Sequence, residues 1–350
     1  MKKNILADSH LNMTIYNSGS EHGAYFHIQS PFQLTLEYCS GTAPTDYLTY
    51  LSITPTKSDF IVLPCTSQYI NRSFHQHDFY ELVIVLEGAI SQKIDEKEYV
   101  YPAGSCCFIN RNIRHTEKFT EKAQILFLDF SPQFMEELLL LNKDNIFLIE
   151  KRDTSNEIVK FIFSDLQGKA SRTYLDFFPS ISKPNSTKRL RSLLECLLYT
   201  TLLPDFSSDY FLKGFICALF VELSDSNYYH ITHVKLDTRN DYLLFCRITH
   251  LLEEVNGRVS RVSLEKYLNY SSDYLGRIVK KYTGLCLYDY EMTFCLKKAT
   301  DLLIKTDKTI SEIALALSFT NQTHFYDLFK KEYGITPNAY RKNHREKKHK

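Results

Sequence analysis

From residue 60 to residue 130 the chain runs in short apolar stretches broken by turn residues. The run 81–87, Glu-Leu-Val-Ile-Val-Leu-Glu before Gly88, predicts a buried strand ended by a turn. Runs at 91–94, 98–101, 106–109 and 124–130 predict further strands, separated by Asp95-Glu96-Lys97, Pro102-Ala103-Gly104 and Asn110-Arg111-Asn112. Short strands at regular spacing predict a sandwich or barrel. Residues 1–59 are weakly patterned, with Gly41-Thr42-Ala43-Pro44 as a break, and read as an extension adding edge strands. After Ser131-Pro132 the pattern becomes helical. Helices are predicted from 134 onward and over 156–166, 188–203 and 209–224, with Pro179, Pro184 and Pro204 as interruptions. Residues 228–239 read as a linker.

The last hundred residues state one pattern twice. Ser271, Leu275, Val279, Lys280-Lys281 and Gly284 return about 50 positions later as Asn321, Phe325, Phe329, Lys330-Lys331 and Gly334. Each copy reads as a short helix: a capping residue, apolar positions at i and i+4, a basic last turn and a stopping glycine. Thr309-Ile310-Ser311-Glu312 is a capping box opening a helix over 310–317, and Ser318-Phe319-Thr320 is a tight turn into the second repeat. The first copy runs through a helix at 261–268, a turn at Asn269-Tyr270 and a helix at 272–282. These are two helix-turn-helix units, 260–284 and 309–334. A linker helix over 287–306 separates them by about 30 Å at ~1.5 Å per residue. That is close to the ~34 Å turn of B-DNA.

Charge sharpens the division. Residues 241–350 hold 19 Lys and Arg against 13 Asp and Glu, while the first 240 hold 23 against 28. A basic C-terminal part suits a polyanion, and the acidic front needs another role. Hydrophobic content of 44% over 350 residues supports two or three cored domains. The nine cysteines include no C-x-x-C pair, so free buried thiols are expected, with a redox sensor as the alternative. Met1-Lys2-Lys3 is followed by polar residues, and the apolar stretches 193–203 and 211–221 are too short to span a bilayer. A cytoplasmic location and no membrane partner are expected. The tail 341–350 is nearly all basic, either a frayed end or a phosphate-touching arm.

The stretch 241–343 resembles the AraC/XylS family of bacterial transcription regulators. The match is most specific at Ile313-Ala314, Phe319, Asn321, Phe325, Phe329-Lys330-Lys331, Gly334-Ile335-Thr336-Pro337 and Tyr340-Arg341. The chain departs from the family pattern at Ser318 (usually glycine), Asp327 (often arginine) and Cys295 (commonly arginine). Arg261 and Glu265 stand on a normally apolar face and are expected to pair at i, i+4. By this resemblance Ser272, Gly276, Arg277, Gln322, Thr323 and Tyr326 face bases. Lys280, Lys281, Asn321, Lys330 and Lys331 are expected at phosphates.

His75-x-His77-x3-Glu81-x6-Gly88, then Gly104 and His115, resembles the two motifs of the cupin superfamily, a small jelly roll. Its metal positions fall on His75, His77, Glu81 and His115, which suit a divalent transition metal. In the second motif the usual Pro, Gly and Asn are Asn110, Asn112 and Phe119. Sensor cupins of the resembling family commonly keep the histidines without metal, so no cofactor is expected. These four residues are read as contacts to a small-molecule effector, with a metal site or a structural wall as alternatives.

The expected fold is therefore α+β and multidomain. An extension over 1–59 precedes a cupin-like jelly-roll sensor barrel over 60–130. A helical dimerisation and linker region occupies 131–239, with a helical lid on the barrel as the alternative. An all-α DNA-binding domain occupies 240–345. The expected function is an effector-sensing, sequence-specific transcription regulator, and no enzyme. Its partners are double-stranded DNA, a small-molecule effector, a second copy in a homodimer and, for an activator, RNA polymerase. The competing reading is a metal-dependent cupin oxygenase or isomerase fused to a DNA-binding domain.

Overall fold

The computed structural model describes residues 13–16, 24–65, 72–140, 156–167, 172–180, 186–236 and 240–345. They divide into two compact units, the second beginning at Asn240. The tail beyond 345 and the end of the expected linker, 237–239, lie outside the described residues.

The first unit is built on two sheets. One has six strands in the order β1 (Met13–Tyr16), β2 (Ala24–Ile28), β6 (His75–His77), β11 (His115–Phe119), β8 (Ala89–Ile94), β9 (Lys97–Pro102). The other has eight: β14 (Tyr229–Lys235), β13 (Thr173–Pro179), β10 (Cys106–Ile109), β7 (Tyr80–Glu87), β12 (Ala123–Phe130), β3 (Phe32–Cys39), β4 (Tyr47–Ile53), β5 (Ser58–Pro64). Pairing is antiparallel except where β2 runs parallel to β6. The expected jelly-roll class holds.

The eight-stranded sheet is covered on both faces. Leu82, Ile84, Cys106, Phe108, Leu126 and Leu128 pack outward against four helices: α1 (Pro132–Leu140), α2 (Glu157–Leu166), α3 (Ser186–Leu202) and α4 (Ser208–Ser224). Val83, Val85, Cys107, Ile125 and Phe127 face inward, where Ile90, Ile94 and Phe119 of the six-stranded sheet meet them. Double coverage explains why 81–87 reads as an unbroken apolar run rather than an alternating one. It also explains the adjacent cysteines, which serve opposite cores. Helix α2 is tied to the barrel through Asp165, which accepts from Tyr80 Oη at 2.6 Å and Arg111 Nε at 2.7 Å.

Two expectations need correction. The segment before residue 60 is no mere edge: β3 sits inside the sheet between β12 and β4. The segment 131–239 is not all helical, since β13 and β14 extend the same sheet, and β14 occupies most of the expected linker. Pro179 misled because it closes a strand rather than breaking a helix. In β13, Tyr174 and Leu175 serve opposite cores, so no alternation marked it.

The second unit is all helical: α5 (Asn240–Glu254), α6 (Arg261–Leu268), α7 (Ser272–Thr283), α8 (Leu287–Lys305), α9 (Ile310–Ala316), α10 (Gln322–Tyr333) and α11 (Pro337–Arg345). Around α7 the core is aromatic, with Phe245 of α5 stacked on Tyr282 at 4.8 Å between ring centroids. Around α10 it is Ile310, Ile313, Phe325 and Phe329 against Leu296, Ala299 and Leu303 of α8. Gly257, φ +74°, holds the end of α5 against α8, where an added Cβ would lie 2.0 Å from the Glu291 carbonyl oxygen.

Candidate functional site

Both repeated helices are capped as their residues require. Ser271 Oγ accepts the Tyr274 N–H, and Asn321 Oδ1 accepts the Thr323 N–H at 2.9 Å. Gly284 and Gly334 end them in the left-handed conformation. The capping box at Thr309 and Glu312 is complete. The two turns differ: Asn269 takes φ +59° in the first copy, and Ser318 takes the same φ in the second. Asparagine tolerates this conformation better than serine.

On α7, Arg277 is exposed and lies over the Tyr274 ring at 5.4 Å. Gly276 borders open space, since a Cβ there would meet only Leu287 Cβ at 4.0 Å. On α10, Gln322 and Thr323 are exposed and Tyr326 is half-buried. Gln322 Oε1 accepts from Ser311 Oγ at 3.0 Å, and Tyr326 Oη accepts from Asn338 Nδ2 at 3.2 Å. The exposed His324 ring bonds Tyr288 Oη of α8 at 2.9 Å.

Inside the barrel, buried polar groups converge from both sheets. His115 Nε2 lies 3.1 Å from Glu81 Oε2, and His77 Nε2 lies 3.8 Å from the same oxygen. The Nδ1 atoms of both histidines face backbone carbonyls, Phe79 O and Ile113 O, each at 2.8 Å. Those carbonyls orient both rings with Nε2 toward Glu81. His75, half-buried, sets its ring 4.2 Å from that of His115. Asn112, φ +62°, replaces a motif glycine and donates its N–H to the His77 carbonyl at 2.7 Å.

Burial pushes the Glu81 carboxyl up, but His115 and His77 outweigh it and hold the group well below the ordinary range. Burial likewise lowers the His115 imidazole, yet Glu81 and Glu117 lift it to about 9. Next to this pair, Arg72 bonds Glu37 and lies 3.6 Å from Glu117. Burial raises Glu117, and raises Glu37 to about 7 despite Arg72. Burial, then the like charges of Glu81, Glu37 and Glu117, lifts Asp129 far above the carboxylate range.

His77, Glu81 and His115 bring ligand atoms within 4.8 Å of one another, a donor set that a divalent cation fits. They would hold it as a Lewis acid or as an anchor. A second triad, His75, His115 and Glu117, shares His115 and brings in Glu117 from outside the motif. Glu81 favours the protonated His115 ring, so a cation would compete with a proton at Nε2.

Residues 264–343 match the family described as a helix-turn-helix domain, and residues 65–146 match the AraC-like ligand binding domain. The chain thus carries an AraC-like ligand binding domain followed by a helix-turn-helix domain, the two parts of an AraC-type transcription regulator. It is 24% identical over 269 residues to the HTH-type transcriptional activator RhaS of Escherichia fergusonii, covering 76% of this chain and 86% of that one. It is 20% identical over 271 residues to the probable transcriptional regulator LumQ of Photobacterium leiognathi, covering 77% and 92%. The C-terminal domain of AraT from Geobacillus stearothermophilus is similar over 28% of this chain and 84% of its own, with 29% identity and a TM-score of 0.26.

The AraC-type surface differs in places from its sequence reading. Glu265 does not pair with Arg261; it accepts the Ser272 N–H at 2.7 Å and so caps the recognition helix from the preceding one. Lys281 is half-buried and paired with Asp241 at 2.5 Å, whereas Lys280, Lys330 and Lys331 are exposed. The Asn321 side chain is spent on capping. Sequence reading missed Arg258, Tyr288 and His324 in the DNA-binding unit, and Glu37, Arg72, Glu117 and Asp129 in the barrel. The barrel residues carried a faint signal: polar side chains at alternate positions of otherwise apolar strands.

Proposed function

We propose that α7 and α10 read bases in successive major grooves, α7 through Arg277 and Ser272 with Gly276 allowing close approach, α10 through Gln322, Thr323 and Tyr326. Lys280, Lys330 and Lys331 hold phosphates. The observation that carries this is the repetition itself: two capped helices, each with exposed polar residues in its N-terminal half (Asp273 and Arg277; Gln322 and Thr323) and an exposed lysine in its last turn, joined by a 19-residue helix. Such a helix is about 28 Å long at ~1.5 Å per residue.

The barrel interior around His75, His77, Glu81 and His115 holds the effector, and the chain regulates rather than catalyses. Its relatives are named as transcription regulators, and the interior histidines are turned onto a carboxylate rather than onto an open reaction site. A second copy docks on α4. Tyr210, Gly214, Cys217 and Val221 leave an uncharged stripe exposed at i, i+4, i+7 and i+11, while Ile216, Leu219 and Leu223 are buried in the helical layer. Phe206, at the α3–α4 turn, is 97% exposed. No helix among the described residues is long and apolar enough to cross a membrane, which suits a protein working on cytoplasmic DNA. As an activator it would also meet RNA polymerase.

Footprinting the full chain on DNA upstream of its own gene, with and without a metabolite panel, tests the reading. Protection should span two sites about one helical turn apart. His77→Ala should fold, bind DNA and lose the effector-dependent change in reporter output. Unchanged induction in a variant with His75, His77, Glu81 and His115 all replaced by alanine would remove the barrel from the mechanism. Stoichiometric metal with turnover would favour the enzyme.

A further inference from the structure

The interior of the barrel is rich in acceptors and poor in donors. Gln33 of β3, Asp129 of β12 and Glu81 of β7 stand opposite one another in the strand register, so all three project to the same side. Glu117 and Gln92, paired across β11 and β8, belong to the facing sheet. Among the described residues, the buried oxygens without hydrogen-bond partners include Gln33 Oε1, Glu37 Oε1, Gln92 Oε1, Glu117 Oε2 and Asp129 Oδ1, and His77 Nε2 has none either. Asp129, only 2% exposed, has no hydrogen bond or ion pair among the described residues. Arg72 is committed to Glu37 and Glu117, and His115 to Glu81.

We propose that the barrel takes a small organic cation, a protonated amine with several N–H donors, and that Asp129 is its anchor. This rests on the reading of the barrel as the effector site. A buried acceptor left without a hydrogen bond is costly, and an ammonium supplies three donors to acceptors that have no hydrogen bond among the described residues. Arg72 and His115, the cations beside these carboxyls, are already paired, so an anionic metabolite would find no partner there, whereas an ammonium would pair with Asp129 as that buried acid gives up its proton to solvent. A neutral polyol fits less well, because every hydroxyl brings lone pairs, and of the residues just named Arg72, at Nε, is left with an unpartnered guanidinium nitrogen. Amine N–H groups bring no such demand. Burial makes the site selective, since an unpaired charge has no water to turn to.

The test uses the full chain with five probes: putrescine, ethanolamine and glucosamine as amines, glucose as the neutral match and succinate as the anion. Calorimetric titration and thermal unfolding of the N-terminal unit are read for each, in the wild type and in Asp129→Asn and His115→Ala. At least one amine should bind and raise the unfolding temperature. Asp129→Asn should weaken it about tenfold or more, the loss of one charge-assisted hydrogen bond. Glucose and succinate should do nothing. Binding of glucose or succinate that His115→Ala abolishes would overturn the cation while leaving the barrel as the effector site. Amine binding unchanged by both substitutions would place the ligand elsewhere and overturn both readings. Silence from all three amines overturns the inference alone, since the reporter assay tests the barrel separately. Should Asp129→Asn fail to fold, the ranking of the five probes on the wild type still decides.

Discussion

Arg258 donates from Nη2 to the Ser318 carbonyl at 2.7 Å, and its guanidinium lies 4.9 Å from the centre of the Phe319 ring. A residue just before the first helix-turn-helix thus clamps the turn of the second. That turn needs help, because Ser318 holds φ +59°. Ser318→Gly should raise the stability of the C-terminal unit by about 1 kcal/mol, the usual cost of a side chain in the left-handed region. Arg258→Ala should lower it by a similar amount, about 1 kcal/mol. The chain has no tryptophan, so circular dichroism is the readout. A destabilised Ser318→Gly would mean the hydroxyl matters more than the backbone.

Gln322→Ala and Arg277→Ala should each relax sequence preference at a different position, the two about one helical turn apart. A good bidentate contact discriminates by about 1–3 kcal/mol. Binding selections on randomised operators measure this. Equal loss on every sequence for both variants would remove them from base reading.

Lysines 280 and 281 should behave differently although they are neighbours. Lys280→Ala should flatten the log K against log salt slope by about 0.9 and weaken binding to all sequences alike. Lys281→Ala should leave that slope alone and lower stability, because Asp241 loses its ion pair and keeps only Tyr282 Oη at 3.1 Å and the Tyr242 N–H at 2.8 Å. Identical slopes for the two variants would contradict the assignment.

Glu291 introduces a pH dependence. Burial lifts its carboxyl to about 7, against the nearby charges of Arg258 and Arg261. The folded value lies above the unfolded one of 4.5, so its contribution is fullest below 4.5 and is lost as pH rises through 7. Glu291→Gln should therefore stabilise the C-terminal unit above pH 7 and flatten its stability between pH 4.5 and 7 relative to wild type. Unfolding at pH 5 and pH 8 is sufficient to see it.

If the chain pairs through α4 as proposed, replacing Tyr210 and Val221 together with aspartate should convert that proposed dimer to monomer in sedimentation, with the N-terminal fold intact by circular dichroism. Both side chains are exposed, so their loss removes no core contact. An unchanged sedimentation coefficient would move the interface off α4.

What the sequence made legible follows from where periodicity survives. The second helix-turn-helix could be read residue by residue because each helix there has one wet face, and caps and apolar stripes stand apart. The strands of the eight-stranded sheet are covered on both sides, so β13 carried no alternation; β3 does alternate, Gln33, Thr35 and Glu37 against Phe32, Leu34 and Leu36, but it lay in a segment read as a weakly patterned extension. His75, His77, Glu81 and His115 were visible as a motif. Asp129 was not: it lies 14 positions beyond His115 and reaches the cluster only through strand register. Lys281 and Glu265 were misread because a sequence does not disclose that Asp241 and Ser272 lie within reach.

From Tyr80 to Val85 every side chain is buried, odd positions toward the barrel and even positions toward the helices. Such a segment has no spare side on which to absorb change. A charge placed at 82 or 84 strands itself among helices, and one placed at 83 or 85 strands itself among apolar strands. Selection on a randomised library across these codons should return a near-silent gap, and the same library across β5, where Phe60 and Val62 face outward, should return many survivors.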